Sequence, residues 1–198
     1  MTKVIGITGG IGSGKTTLCK YLKKSGYPVH ESDKFVSGLY KKPNYSFLNF
    51  LKKNISKDVV QNYKINKKKV ANIIFQRNEM KKKLEDYVHK EVKAYRDSFV
   101  KKHHKNKKGA IFVDIPLLFE NDLDKDFDII VCIIEKKKIR IERVLENKKF
   151  TKQILVRILK HQTSDKERRS RAQIIINNNK TKKDFIFSAE RALIKFLK

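Results

Sequence analysis

Cysteines, acidic residues and long apolar runs are all scarce in this sequence, and each scarcity narrows what the chain can be. Only two cysteines occur, Cys19 and Cys132, and neither has a Cys or His neighbour at metal-ligand spacing. That excludes a disulfide framework and a thiolate zinc site, and both are expected as buried thiols, one on the first helix and one on an inner strand. No apolar stretch approaches the roughly 20 residues needed to span a bilayer, so no membrane segment is expected. No charged-then-apolar leader precedes the first apolar run, and a cytoplasmic protein is the simplest expectation. Acidic residues number 21 against 48 Lys and Arg, giving a formal net charge of +27. Such an excess suits nucleic acid, an acidic membrane or a highly anionic small substrate. Lysine, asparagine and isoleucine recur throughout, however, as in chains from AT-rich genomes, and no aromatic-interleaved basic motif stands out. Nucleic acid is therefore not the expected partner, and the oligomeric state is unknown.

Glycine is sparse too, with eight residues in all, yet four of them fall at positions 9, 10, 12 and 14. The segment Gly9-Gly10-Ile11-Gly12-Ser13-Gly14-Lys15-Thr16 reads G-x-x-x-x-G-K-[ST], between the apolar Val4-Ile5-Gly6-Ile7 and a helix expected over Thr17 to Lys24. Its backbone N–H groups can converge on a phosphate, and the helix N-terminus adds partial positive charge. Lys15 can reach the outer phosphates, and the Thr16 hydroxyl can ligate Mg²⁺. A bound nucleoside triphosphate such as ATP is expected, on Gly10, Ile11, Gly12, Ser13, Gly14, Lys15, Thr16 and Thr17.

The rest of the chain reads as an α/β protein. Strands are expected at 2–8, 27–30, 110–114, 127–133 and 173–177, most of them alternating with helices, which implies a parallel sheet with right-handed crossovers. Asp33 follows the second strand, either facing the moving phosphate or capping a helix over Lys34 to Tyr40. Residues 43–107 lose strand-like alternation and read as an inserted helical subdomain. Within it, Leu84, Val88, Val92, Tyr95 and Phe99 recur at helical spacing over Asn78 to His103, marking one buried face. Glu85 and His89 could share a ligand beside that stripe, or be a solvated charge and an interfacial histidine. Asp114 ends the third strand where a Mg²⁺-binding carboxylate is expected. The loop Ile115-Pro116-Leu117-Leu118-Phe119-Glu120 either shapes a pocket or closes the core. Residues 136–171 carry Arg140, Arg143, Lys148, Lys149, Arg157, Lys160, Lys166, Arg168, Arg169 and Arg171, a candidate lid in which only a few cations should be functional.

These motifs together resemble the dephospho-CoA kinase family over nearly the whole chain. The resemblance rests on Thr8 to Thr16, Glu31-Ser32-Asp33, Leu84-Glu85 with His89, Pro116 to Glu120, Arg143, Gln162 and Asn178. It implies a parallel-sheet P-loop kinase core (1–42, 108–135 and 172–198), an inserted helical substrate-binding domain (43–107) and a helical lid (136–171). It further implies transfer of phosphate from ATP, with Mg²⁺, to the ribose 3′-hydroxyl of dephospho-CoA. Asp33 matches the family's base, so Asp33, Lys15 and Arg143 are the implied catalytic residues, and Asn178 falls near the adenine of ATP. Asp33, His89, Pro116, Leu117, Leu118 and Glu120 match positions for the acceptor, and Thr16, Asp33 and Asp114 for the metal.

Several positions depart from the family pattern. Glu31 and Ser32 stand where Asp and Ala are usual, Lys90 replaces a proline and Gln173 an aspartate. Asn147 stands where the lid's second arginine is usual, with Lys148 and Lys149 beside it as possible substitutes. The rival readings are another P-loop nucleoside or nucleotide kinase, and a basic nucleic-acid-binding NTPase.

Overall fold

The computed structural model describes residues 2–105, 109–147 and 150–197. Five strands form one sheet, all parallel: β1 (Lys3–Gly9), β2 (Val29–Glu31), β5 (Ala110–Asp114), β6 (Ile129–Ile134) and β7 (Ile174–Asn177), in the order β2-β5-β1-β6-β7. The intervening pair β3 (Val60–Gln61) and β4 (Lys64–Ile65) makes a separate antiparallel hairpin. β1 lies at the centre because its residues can be buried on both faces. Ile5 and Ile7 point into one apolar cluster, while its neighbour β6 sends Val131 and Ile133 to that cluster and Ile130, Cys132 and Ile134 to another.

The chain divides into two compact units, residues 1–31 with 100–198, and residues 32–99. In the first, α1 (Lys15–Lys24) and α9 (Lys182–Leu193) cover one sheet face with Leu18, Cys19, Leu22, Phe185, Ala189 and Leu193. Thr181 and Asp184 close the N-terminus of α9 as a reciprocal capping box. The other face takes Leu118, Phe119 and the partly buried Phe127. The remaining helices here are α6 (Lys137–Glu146), α7 (Lys152–His161) and α8 (Asp165–Arg171).

The second unit is built by α2 (Ser32–Lys41), α3 (Tyr45–Asn54), the hairpin, α4 (Lys67–Gln76) and most of α5 (Asn78–His103). Its own core gathers Leu39, Phe47, Leu48, Leu51, Val59, Val70 and Leu84. Leu39 explains why α2 belongs to this unit rather than to the sheet. The stripe on α5 is less buried than its spacing predicts. Leu84 is buried, Val88, Val92 and Phe99 are half-buried, and Tyr95 is exposed, stacked on Phe35 with ring centroids 4.4 Å apart. The other buried residue of the helix is Arg96, off that stripe and 3.3 Å from Asp97.

Candidate active site

The phosphate loop leaves the carboxyl end of β1 and runs straight into α1, which begins at Lys15, two residues before its expected start. Gly14 is the N-cap residue, at φ 109°, and no side chain among the described residues caps the helix. A Cβ at this position would also come within 2.4 Å of the Asn178 amide nitrogen. Glycine is therefore required twice over, by the left-handed backbone and by the approach of Asn178. Asn178 is buried and donates from Nδ2 to the Ser13 carbonyl at 2.7 Å, so the loop after β7 clamps the phosphate loop. Lys15 is half-buried and its ammonium donates to the Gly9 carbonyl at 2.8 Å. That bond folds the side chain back across the mouth of the loop. Thr16 is exposed, Thr17 half-buried, and the buried Ser13 hydroxyl has no hydrogen-bond partner among the described residues. An orphaned buried hydroxyl inside a glycine-rich loop at an uncapped helix N-terminus fits a phosphate ligand. For a cation, the Thr16 hydroxyl and the buried Asp114 carboxylate are hard oxygen donors of the kind Mg²⁺ takes. Among the described residues no three His, Cys, Asp or Glu gather into a metal cage. Such a donor set suits a cation that keeps waters and substrate phosphates as ligands.

Asp114 ends β5 in register with Ile7 of β1 and Glu31 of β2, so the carboxyl edge of the sheet is acidic. Glu31 pairs with Lys23 of α1. Asp33 is not a helix cap, because α2 starts at Ser32, directly after β2; Asp33 is an exposed acid in the first turn. His89 is exposed on α5, and Glu85, also exposed, lies 3.8 Å from Lys81. These residues belong to the second unit.

The apolar loop after β5 divides its residues. Leu118 and Phe119 are core, Pro116 is half-buried and Leu117 is exposed. Glu120 reaches α8 and the turn before it, accepting from the Thr163 N–H at 2.7 Å and pairing with Arg168 at 3.3 Å. Arg143, about one-third exposed, lies 3.0 Å from the fully buried Glu135 carboxylate. The same guanidinium approaches the Asn178 carbonyl at 3.4 Å. Gln162, at the end of α7, accepts from the Ile11 N–H at 3.1 Å, so the end of α7 touches the glycine-rich loop directly. Asn147 turns back to the Arg143 carbonyl at 2.6 Å, while Lys148 and Lys149 lie outside the described residues. Sequence spacing pointed to neither Glu135 nor Asp165, which anchors Arg140 and Arg168 together. Only the Asp165 to Arg168 spacing of three carried any signal.

A parallel sheet, a glycine-rich phosphate loop at the head of its central strand, and an arginine-rich segment folded onto that loop define a P-loop phosphotransferase. The family model for dephospho-CoA kinase matches residues 3–184. A dephospho-CoA kinase of Fusobacterium nucleatum is 33% identical over 198 residues, covering 95% of this chain and 95% of that one. One from Helicobacter pylori is 30% identical, with 98% and 97% covered. A crystal structure from Thermus thermophilus superposes with a TM-score of 0.81 at 25% identity, covering 100% of this chain and 99% of the other. This chain belongs to the dephospho-CoA kinase family, whose reaction is the ATP-dependent phosphorylation of dephospho-CoA in coenzyme A biosynthesis.

Proposed function

We propose that the chain performs the family's reaction with Asp33 as the base, Lys15 and Arg143 as the cations on the moving phosphoryl group, and the ribose 3′-hydroxyl as acceptor. The observation that carries this reading is the match of residues 3–184 to the family.

ATP lies with its phosphates on residues 10–17, receiving backbone N–H groups and the Ser13 hydroxyl, while Asn178 borders the adenine. Lys15 exchanges its Gly9 carbonyl for phosphate oxygens, so the resting bond at 2.8 Å holds the ammonium ready at the loop. Thr16 and Asp114 would hold Mg²⁺, whose charge would screen the phosphates when bound. Asp33 orients the 3′-hydroxyl and takes its proton as the oxygen attacks. Lys15 and Arg143 stabilise the charge spreading over the equatorial oxygens. The buried Glu135 carboxylate, 3.0 Å from Arg143 Nη2, keeps an opposite charge beside this guanidinium.

On this reading His89 binds the acceptor, as do Pro116, Leu117, Leu118 and Glu120. Residues 136–171 form the lid, and Glu120 couples the acceptor loop to it through Thr163 and Arg168. No helix among the described residues is long and apolar enough to cross a membrane, and a cytoplasmic location follows from this reading.

Initial rates with ATP and Mg²⁺ across dephospho-CoA, 3′-deoxy-dephospho-CoA, adenosine and AMP test it. Turnover is expected with dephospho-CoA alone, and the 3′-deoxy compound should compete without reacting. Phosphorylation of adenosine or AMP in preference to dephospho-CoA would favour the nucleoside or nucleotide kinase instead.

A further inference from the structure

Three acids and three arginines meet beside the phosphate loop: Glu120, Glu135 and Asp165 with Arg140, Arg143 and Arg168. Their charges cancel, yet the arginines are not equivalent. Arg168 is 2% exposed, and both of its amino groups are occupied, Nη1 by Asp165 at 2.9 Å and Nη2 by Glu120 at 3.3 Å. Arg140 is equally sheltered, at 4% exposed. Its Nε donates to the Glu135 carbonyl at 3.0 Å and its Nη2 to Asp165 at 2.9 Å. Those two bonds fix the plane of the guanidinium. No described residue accepts from the third nitrogen, Nη1, which lies against Gly10, where an added Cβ would come within 1.9 Å of it. A buried cation with one amino group held against the phosphate loop, over a residue whose missing side chain makes that approach possible, has its last donor aimed at a ligand of that loop.

We propose that Arg140 is a phosphate-binding residue, donating from Nη1 to the outer phosphates of ATP, with Asp165 and the Glu135 carbonyl as its positioning partners. This rests on the nucleotide reading above. Arg140 and Arg143 are three apart on α6 and share a face, so two guanidinium groups approach the phosphates from one helix. On this reading Arg140 supplies the charge that Asn147 lacks. The geometry also makes Gly10 part of the device, since any side chain there would displace the guanidinium.

Calorimetric titration of the full chain with a non-hydrolysable ATP analogue and with AMP separates this role from a purely structural ion pair. Arg140→Gln is expected to weaken the ATP analogue about ten- to hundredfold, the effect of one charge-assisted hydrogen bond, and to leave AMP within about twofold. Arg140→Lys keeps a point charge without the fork and should lose about fivefold or more for the analogue alone. Where Arg140→Gln does not fold, Arg140→Lys carries the same comparison. Unchanged analogue affinity in a folded variant, or equal weakening of analogue and AMP, would overturn the proposal. A wild-type chain that binds the analogue but makes no CoA would overturn the acceptor assignment while the Arg140 comparison still stands.

Discussion

Lys15 and Asp33 separate by what their removal should do. Lys15 is half-buried and holds a backbone carbonyl rather than a packing position, so Lys15→Ala should abolish turnover and leave the thermal midpoint nearly unchanged. Turnover retained at saturating ATP would remove its assigned role. Asp33→Asn keeps the shape of the side chain but removes a negative charge from the first turn of α2, a loss of about 0.3–1 kcal/mol of helix stabilisation. Its kcat is expected to fall about 10²–10⁴-fold with ATP affinity intact, measured by initial rates and calorimetry. A mutant within a few-fold of wild type would leave the reaction without this base. The turn from β1 into α1 was legible because its glycines, Lys15 and Thr16 are contiguous in the chain, although α1 begins two residues before its expected start. The position of Asp33 was legible, but not its helical role, because the direct passage from β2 into α2 leaves no loop residue to signal it. The cysteines behave as their surroundings dictate. Burial raises both thiols, Cys132 to about 11 and Cys19 further, so thiol reagents should label the native chain slowly and the denatured chain fast. Rapid labelling of the native protein would contradict the buried placement.

At the scale of elements, legibility follows sequence distance. α5 spans Asn78 to His103 and β5 spans Ala110 to Asp114, as their patterns predict, because apolar period and end signals lie within each segment. The hairpin at 60–65 escaped notice. Its turn residues Asn62 and Tyr63 both have positive φ, at 47° and 58°, where an Asn-Gly pair would have announced it. The arginine–carboxylate network of α6 and α8 is hidden for a different reason: Arg140 meets Asp165 across 25 residues and Arg168 meets Glu120 across 48. Arg143→Ala should cut kcat about 10²-fold, the scale of losing one preorganised donor, more than Lys148→Ala or Lys149→Ala. Essential lysines with a dispensable Arg143 would place the functional cation elsewhere. α8 is tied down separately. Arg171 grips Asp124 through two nitrogens, at 2.9 and 3.3 Å, and covers the Phe119 ring at 4.9 Å. The hydrogen bonds from Arg171 hold the Asp124 carboxyl below its ordinary range, and Arg171 is raised in turn. This stabilisation is therefore complete above the ordinary carboxylate pKa, near 3.9, and is lost as pH falls through the lower folded value. Arg171→Ala should cost about 1 kcal/mol at pH 7, and the gap to wild type should close below about pH 4, read from denaturant midpoints. A gap that does not change with pH would assign the effect to packing on Phe119.

For the whole molecule, two features compete to define function: the net charge of +27 and the phosphate site. A dedicated nucleic-acid surface would give tight binding that weakens steeply with salt as counterions are released. Titration against random duplex and single strands is expected to show only weak association at physiological salt, and sub-micromolar binding there would restore the nucleic-acid reading. The phosphate site carries the more specific information, since residues from β1, α1, α6, α7 and the loop after β7 all converge on one glycine-rich turn. The most direct test of the central claim is to incubate the purified chain with ATP, Mg²⁺ and dephospho-CoA, then locate the new phosphate by mass and ³¹P NMR. The expected product is CoA, phosphorylated on the ribose 3′-oxygen, formed together with one ADP per turnover. ATP consumed without any phosphorylated dephospho-CoA, or phosphate found on another oxygen, would contradict it.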